Sequence, residues 1–397
     1  MPPTHYNYHY ALHPNTYIAP YISTPITING NIEKKEWSQI PFSSHFDDIR
    51  GSEEAPPDER PTEECRTRFK MMYDDMYLYI AARIESNMEV VAKYTERNSP
   101  IYHLDSDFEV FLDPDSSCQY YKELEMNAIN TVWNLMLDKP YMDGGHEYSG
   151  RVAKKGDDDY YDVEQQQTAT LLVEGLLNQP GGQRVVWDVE IALAHKDTLR
   201  FQQEHSLSRG SPQMGDIWRI NFSRVERGGD INWTWQPQRV WNAENHTYCG
   251  QVNMHLPDAW GYVRFGPPLS AAAAAAASSS TDSSVEAGQV PNELIVEKGD
   301  PFWPLRLAAM NVYYAQRHYY DKHGVYATHL DVLNGLLDDP TLDPFRDNMV
   351  LLEASKDGYT IQISDGNHRF ISLNNTRHMR VWEDPIVLKD GSILNSV

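Results

Sequence analysis

Three glutamates on two short segments are the residues of this sequence best placed to do chemistry. They are Glu109 in SDFEVFLD (106–113) and Glu123 and Glu125 in YYKELEMNAI (120–129). Side chains alternate along a strand, so each segment sorts its residues onto two faces. On the first, Phe108, Val110 and Leu112 oppose Glu109, Phe111 and Asp113; on the second, Leu124, Met126 and Ala128 oppose Tyr121, Glu123, Glu125 and Asn127. IWRINFSRVE (217–226) sorts the same way, with Trp218, Ile220 and Phe222 against Arg219, Asn221 and Ser223. If the three share a sheet, one face gathers carboxylates, amides and a guanidinium beside aromatic rings. Sugars need that mixture, since their hydroxyls take donors and acceptors and their C–H faces pack on rings. A lone outward Glu on an antiparallel strand is ordinarily just solvated, so the signal is the co-occurrence on three strands. Trp241, in a polar stretch with Asn242, Glu244, Asn245 and His246, is the candidate for stacking on a ligand, whereas Trp233, Trp235 and Trp260 read as packing.

The same carboxylates could serve a glycoside hydrolase, because neighbouring strand positions and i, i+2 positions span about 5–7 Å. Against catalysis stands the expectation that an outward sandwich face is wet, whereas an acid catalyst needs burial to keep its proton. No GxSxG, HExxH, P-loop or GxGxxG pattern supports another common enzyme class. Asp105, Asp107, Asp113 and Asp115 lack the EF-hand spacing and read as turn caps, and His103, His246 and His255 read as scattered structural residues.

The elements that must position these groups are short and β-rich. RTRFKMMYD (66–74), MYLYIAARIE (76–85), RVVWDVEIAL (184–193) and WGYVRF (260–265) alternate like the three segments above, with Gly, Pro, Asp and Asn turns between. The pattern predicts an all-β fold, an antiparallel β-sandwich, over residues 1–267. A low-complexity Ala/Ser tract, sharpest at 270–288, marks a linker over 268–295, and residues 296–397 form a small α+β appendage. Within the appendage, Pro304 and Gly324 bracket an amphipathic helix, 328–337 reads as a shorter one, and 359–364 with 368–373 as a hairpin.

Lys and Arg total 34 against 57 Asp and Glu, a formal charge of -23 that argues against nucleic acid as a partner. Neither a secretory signal nor a membrane span is legible, so a cytoplasmic protein with no membrane partner is expected. Cys65, Cys118 and Cys249 form neither a disulfide framework nor a CxxC pattern.

ITINGNIEKKEW (26–37), FKMMYDDMYLYIAARI (69–84), DSDFEVFLD (105–113), VVWDVEIAL (185–193) and HLPDAWGYVRF (255–265), in that order, resemble the successive signatures of family 9 carbohydrate-binding modules. The resemblance covers residues 20–267 and implies a sandwich that grips the end of a glycan or a small saccharide between two Trp rings above polar residues. Glu109 matches the family's glutamate and Asn221 falls near its amide. Tyr102 and His103 stand where the first ring is expected, Met254 and His255 where the second is, and Glu125 where the family has an arginine. The site residues carried forward are therefore Tyr102, His103, Glu109, Glu125, Asn127, Arg219, Asn221, Trp241 and His255. No cofactor is implied; calcium is the one metal the resemblance admits. YYAQR (313–317) and KHG (322–324) resemble a helix in bacterial family 9-like proteins, which suggests one inherited unit. The alternatives are a hydrolase of O-glycosyl bonds and a non-catalytic interaction protein whose sugar site has decayed.

Overall fold

Each alternating segment forms a strand. The computed structural model describes residues 12–202, 210–269 and 299–384, with the backbone of 386–387 and 393–394. One half of the main sheet holds β3 (Thr67–Tyr73), β4 (Tyr77–Ser86), β9 (Gln167–Glu174) and β10 (Val185–Ala194). The other holds β5 (Asp107–Asp113), β6 (Tyr121–Asn127), β7 (Val132–Leu137), β8 (Glu147–Ser149) and β11 (Ile217–Glu226). β1 (Thr16–Tyr21) and β15 (Gly261–Pro268) join the halves, giving the order β8-β7-β6-β5-β11-β15-β1-β3-β4-β10-β9. The short β2 (Asp47–Asp48) and β12 (Ile231–Thr234) extend the β11 edge.

The halves close on each other as two layers, because each turns one apolar face inward. Phe108, Val110, Leu112, Leu124, Met126, Trp218, Ile220 and Phe222 meet Phe69, Met71, Leu78, Ile80, Val189 and Ile191 in one core, with Phe69 and Phe222 ring centroids 4.0 Å apart. Trp233 and Trp235 pack there too, as expected, and Trp260 is fully buried beneath the second face. Pairing is antiparallel except at the seam, where β1 runs parallel to β15 and, at Tyr21, to β3. A strand joining two layers need not belong to a hairpin, and hairpins are what enforce antiparallel order.

The second face of β5 and β6 departs from expectation: every residue of both strands is buried. Loops that carry no periodic signal cover the face expected to be wet.

The linker expected over 268–295 lies outside the described residues from position 270 on. Beyond it, the helix Trp303–His323 ends at Gly324, whose φ of 69° is the left-handed cap that favours glycine. Leu305, Ala308, Ala309, Val312, Ala315 and Gln316 are buried as the spacing requires, and Gln316 satisfies its amide on both backbone groups of Ala327. Residues Leu330–Leu336 form a 3-10 helix, and β17 (Thr360–Ser364) pairs with β18 (Arg369–Asn374) as the expected hairpin. β16 (Met349–Leu352) and β19 (Met379–Glu383) widen it to four strands. This segment shares one apolar core with Cys118, Val240, Trp241, Leu256 and Ala259. The three cysteines are unpaired, and no described helix is long and apolar enough to cross a membrane.

Candidate functional site

The strand register builds the site. Glu109 on β5 lies opposite Glu125 on β6 and Ser223 on β11, while Trp133 on β7 lies opposite Glu125. One pair further along, Phe111 lies between Asn221 and Glu123, with Leu135 beyond. Neighbouring strands are about 4.8 Å apart, so this grid crowds carboxyl groups onto a patch a few residues wide. Above it opens a cavity of about 470 Å³, within the usual range for small-molecule sites.

Aromatic groups stand on both sides of the acid floor. On one, Tyr102 lies 5.4 Å from the Trp133 ring, and the Arg151 guanidinium sits 4.3 Å over Trp133 while pairing with Glu147. On the other, the His255 ring contacts Tyr141 at 4.7 Å, and His255 Nδ1 is 3.0 Å from the Tyr121 hydroxyl. Burial lowers the His255 imidazole to about 4, so it is neutral at pH 7 although its Nε2 is 4.0 Å from Glu123.

The floor is electrostatically unusual. Burial pushes Glu109 up to about 7, with the Ser223 hydroxyl pulling the other way. Asp107, Glu123 and Glu125 are raised well above the carboxylate range, first by burial and then by their acidic neighbours. Arg224, buried on the neighbouring strand β11, is committed to Glu226, the Thr67 hydroxyl and the Glu85 carbonyl. Three buried oxygens, Asp107 Oδ2, Glu123 Oε2 and Glu125 Oε2, receive no hydrogen bond. Asp107, Glu109 and Glu125 each place one oxygen within 4.8 Å of the others, an all-oxygen set suited to a hard cation. Of the Asp105–Asp115 run only Asp107 joins them. Asp105 accepts from the Lys93 and Tyr94 amides, Asp113 from those of Ser117 and Cys118, and Asp115 from that of Ser117, as turn caps do.

Four of the nine expected residues, Tyr102, Glu109, Glu125 and His255, therefore line one cavity. The side chain of His103, in the single turn Ile101–Leu104, lies outside what the structure describes. Asn127 closes the β6–β7 turn, accepting from the Thr131 amide and donating to Asp105 and the Tyr94 carbonyl. Asn221 shares the face of Glu109 but is spent on both backbone groups of Gln236. Arg219 donates to the Asp258 and Trp260 carbonyls and, with Trp241, lines a second cavity of about 330 Å³ against the C-terminal helix. Trp241 is thus corrected from an exposed loop residue to a buried one. It lies on β13 (Arg239–Asn242), paired with β14 (Thr247–Gly250), and its indole donates to the Leu336 carbonyl.

The sequence reading missed Trp133, Tyr141 and Arg151 as site residues. Pairing TVWNLML with the glutamate strand across the Asn127–Thr131 turn would have found Trp133. Tyr141, in a 3-10 turn, and Arg151, in a loop, leave no spacing signal.

Residues 28–188 match the family described as carbohydrate family 9 binding domain-like. No curated protein matches the chain. Among solved structures, a Bacteroides uniformis protein described as carbohydrate-binding is 12% identical, with a TM-score of 0.42 over 64% of this chain and 99% of its own. A family 9 carbohydrate-binding module from Caldicellulosiruptor kristjanssonii in complex with cellotriose is 16% identical, with a TM-score of 0.36 over 64% of this chain and 94% of its own. Tyr102, Glu109, Glu123, Glu125, Trp133, Tyr141 and Arg151 all lie within residues 28–188, the stretch that matches the carbohydrate family 9 binding domain-like family.

Proposed function

We propose that this chain binds a saccharide, the end of a glycan or a small sugar, in the cavity above β5, β6 and β7. The observation that carries the reading is the arrangement of rings around oxygen acceptors, Tyr102 with Trp133 on one side and Tyr141 with His255 on the other. Rings offer faces to sugar C–H groups, and the buried acids offer bidentate partners to vicinal hydroxyls. That this occurs within the stretch matching the carbohydrate family 9 binding domain-like family supports it. Residues 1–267 and 296–397, joined through 268–295, act in this proposal as one cytoplasmic unit, consistent with their shared apolar core; cell fractionation checks the location.

A glycan array followed by calorimetry on the full chain, with glucose and cellotriose among the probes, tests the reading. Saturable binding at millimolar to micromolar affinity is expected. Tyr141 is 45% exposed, so Tyr141→Ala leaves the fold intact and is expected to weaken binding by about 1 kcal/mol, roughly fivefold. No saturable response to any glycan overturns the proposal in favour of an interaction protein with a decayed site.

Hydrolysis has one observation on its side, since burial brings Glu109 up to about 7, into the range of a general acid. A glycosidase also needs a second carboxylate held ionised, and burial raises Asp107, Glu123 and Glu125 as well. Binding without turnover of aryl glycosides is the expected result.

A further inference from the structure

Arg219 lies on the second face of β11, in register with Asp113 on β5 and Tyr262 on β15, and is fully buried. Its Nη1 donates to the Asp258 and Trp260 carbonyls, and its guanidinium sits 4.6 Å over the Tyr262 ring. Its Nε and Nη2 have no acceptor. These two atoms form the edge of a guanidinium that grips an oxyanion through two parallel hydrogen bonds. The chain uses that edge so elsewhere: Arg83 holds Asp188 at 2.9 and 2.8 Å, and Arg50 holds Asp48 at 2.8 and 3.0 Å. No described carboxylate does this for Arg219. Asp113 accepts from the Ser117 and Cys118 amides, Asp300 is taken by Arg306 and the Tyr262 hydroxyl, and Asp258 by Arg377 and the Tyr314 hydroxyl.

The cavity of about 330 Å³ that Arg219 lines has room for a small molecule. Two further arginines border it, but Arg239 is paired with Glu54 and Arg306 with Asp300. Arg219 is therefore the arginine of this lining without a carboxylate, and a buried charged donor left unmade is costly. Much of the remaining wall is apolar, with Trp241, Trp303, Leu307 and Met310. We propose that this cavity binds a small organic anion, its carboxylate or phosphate head on the Nε–Nη2 edge of Arg219 and its apolar body against those four side chains. The site is separate from the cavity above β5, β6 and β7 and does not depend on the saccharide reading.

Calorimetry on the full chain at fixed ionic strength, with benzoate and phenyl phosphate as probes and neutral benzamide as control, tests this. Saturable binding of one anion or both is expected, the tighter one identifying the head group, with benzamide weaker by about tenfold. Arg219→Lys keeps the charge but not the fork, so its affinity for the anion should fall about tenfold. Tyr141→Ala, in the saccharide cavity, should leave it unchanged. No saturable response of the wild type to either anion overturns the proposal. Benzamide binding as tightly as benzoate also overturns it, by making the cavity merely apolar, and so does full anion affinity in Arg219→Lys. The wild-type titrations decide the matter even if the variant fails to fold, and binding of glucose or cellotriose bears on none of these outcomes.

Discussion

The chain buries clusters of acids in two places and treats them in opposite ways. At the junction between the sandwich and the C-terminal segment, Asp143, Asp258 and Asp300 each have an arginine, and Asp339 accepts from the Tyr248 hydroxyl and the Asn311 amide. Arg377, fully buried, pairs with Asp143 at 3.1 Å and with Asp258, and its guanidinium lies 4.7 Å over the Tyr313 ring. Arg306 pairs with Asp300 at 2.8 Å and also donates to the Ser116 carbonyl. In the cavity floor, Asp107, Glu109, Glu123 and Glu125 are as deeply buried and have no such partner. The junction shows that this fold can supply guanidinium groups where acids merely hold structure. The arginine that lines the cavity, Arg151, pairs with Glu147 instead of with the four floor acids.

The largest effect should come from removing an arginine at the junction. Arg377→Met is expected to strand the charges of Asp143 and Asp258 and to destabilise the chain by about 3–5 kcal/mol, as loss of one partner of a buried pair does. Urea unfolding checks it, with loss of protection in residues 303–323 by hydrogen exchange as the local signature. A change below about 1 kcal/mol would mean that the junction network is dispensable, and the contrast with the cavity would lose its meaning.

A smaller effect isolates burial without any ion partner. His195 is 1% exposed, its Nε2–H donates to the Asp74 carbonyl at 2.9 Å, and its Nδ1 has no partner. The groups facing it are Asp74 and Asp75 from the turn before β4 and the Trp218 ring from β11. Burial, the largest cause, lowers its pKa from 6.5 to about 4. The unfolded chain therefore accepts a proton that the folded chain refuses. Stability from this group is complete above pH 6.5 and is lost as pH falls towards 4, by on the order of 2–3 kcal/mol. Denaturant midpoints across that window should fall less steeply in His195→Gln; an unchanged slope would show that the imidazole is charged in the fold.

What was legible in the sequence follows from periodicity. Phe108, Val110 and Leu112 could be sorted from Glu109 and Phe111 because a strand repeats every two residues, and Leu305 to Gln316 because a helix repeats every 3.6. Alternation put Glu109 and Glu125 on the same kind of face, but their pairing across β5 and β6 came only with the strand register. The cover over them was not legible. Tyr141, Arg151 and Met254 come from loops whose spacing follows no period, so a face expected to be wet is closed over, and the argument from wetness against raised carboxyl pKa values fails with it. Trp241 misled for a related reason. A four-residue strand bounded by Asn242, Glu244 and Asn245 has the composition of a loop, and the chain that buries it lies about 90 residues further on, in the segment around Leu336.

The finest prediction tests the comparison itself, because it asks for opposite signs from nearly isosteric changes. Glu123→Gln removes one of four crowded acids, raised first by burial and then by the neighbouring Glu109, so the chain should gain about 1 kcal/mol. Asp258→Asn removes a charge that receives Arg377 on one oxygen and the Tyr314 hydroxyl at 2.9 Å on the other, so the chain should lose about 1–3 kcal/mol. Two denaturation curves measured side by side decide it. If both variants destabilise, the cavity acids are paired within the protein as the junction acids are. If both stabilise, the junction is also a site of stored repulsion and its arginines do not balance it. Only opposite signs are compatible with a fold that neutralises its structural acids internally and leaves Asp107, Glu109, Glu123 and Glu125 crowded without an arginine.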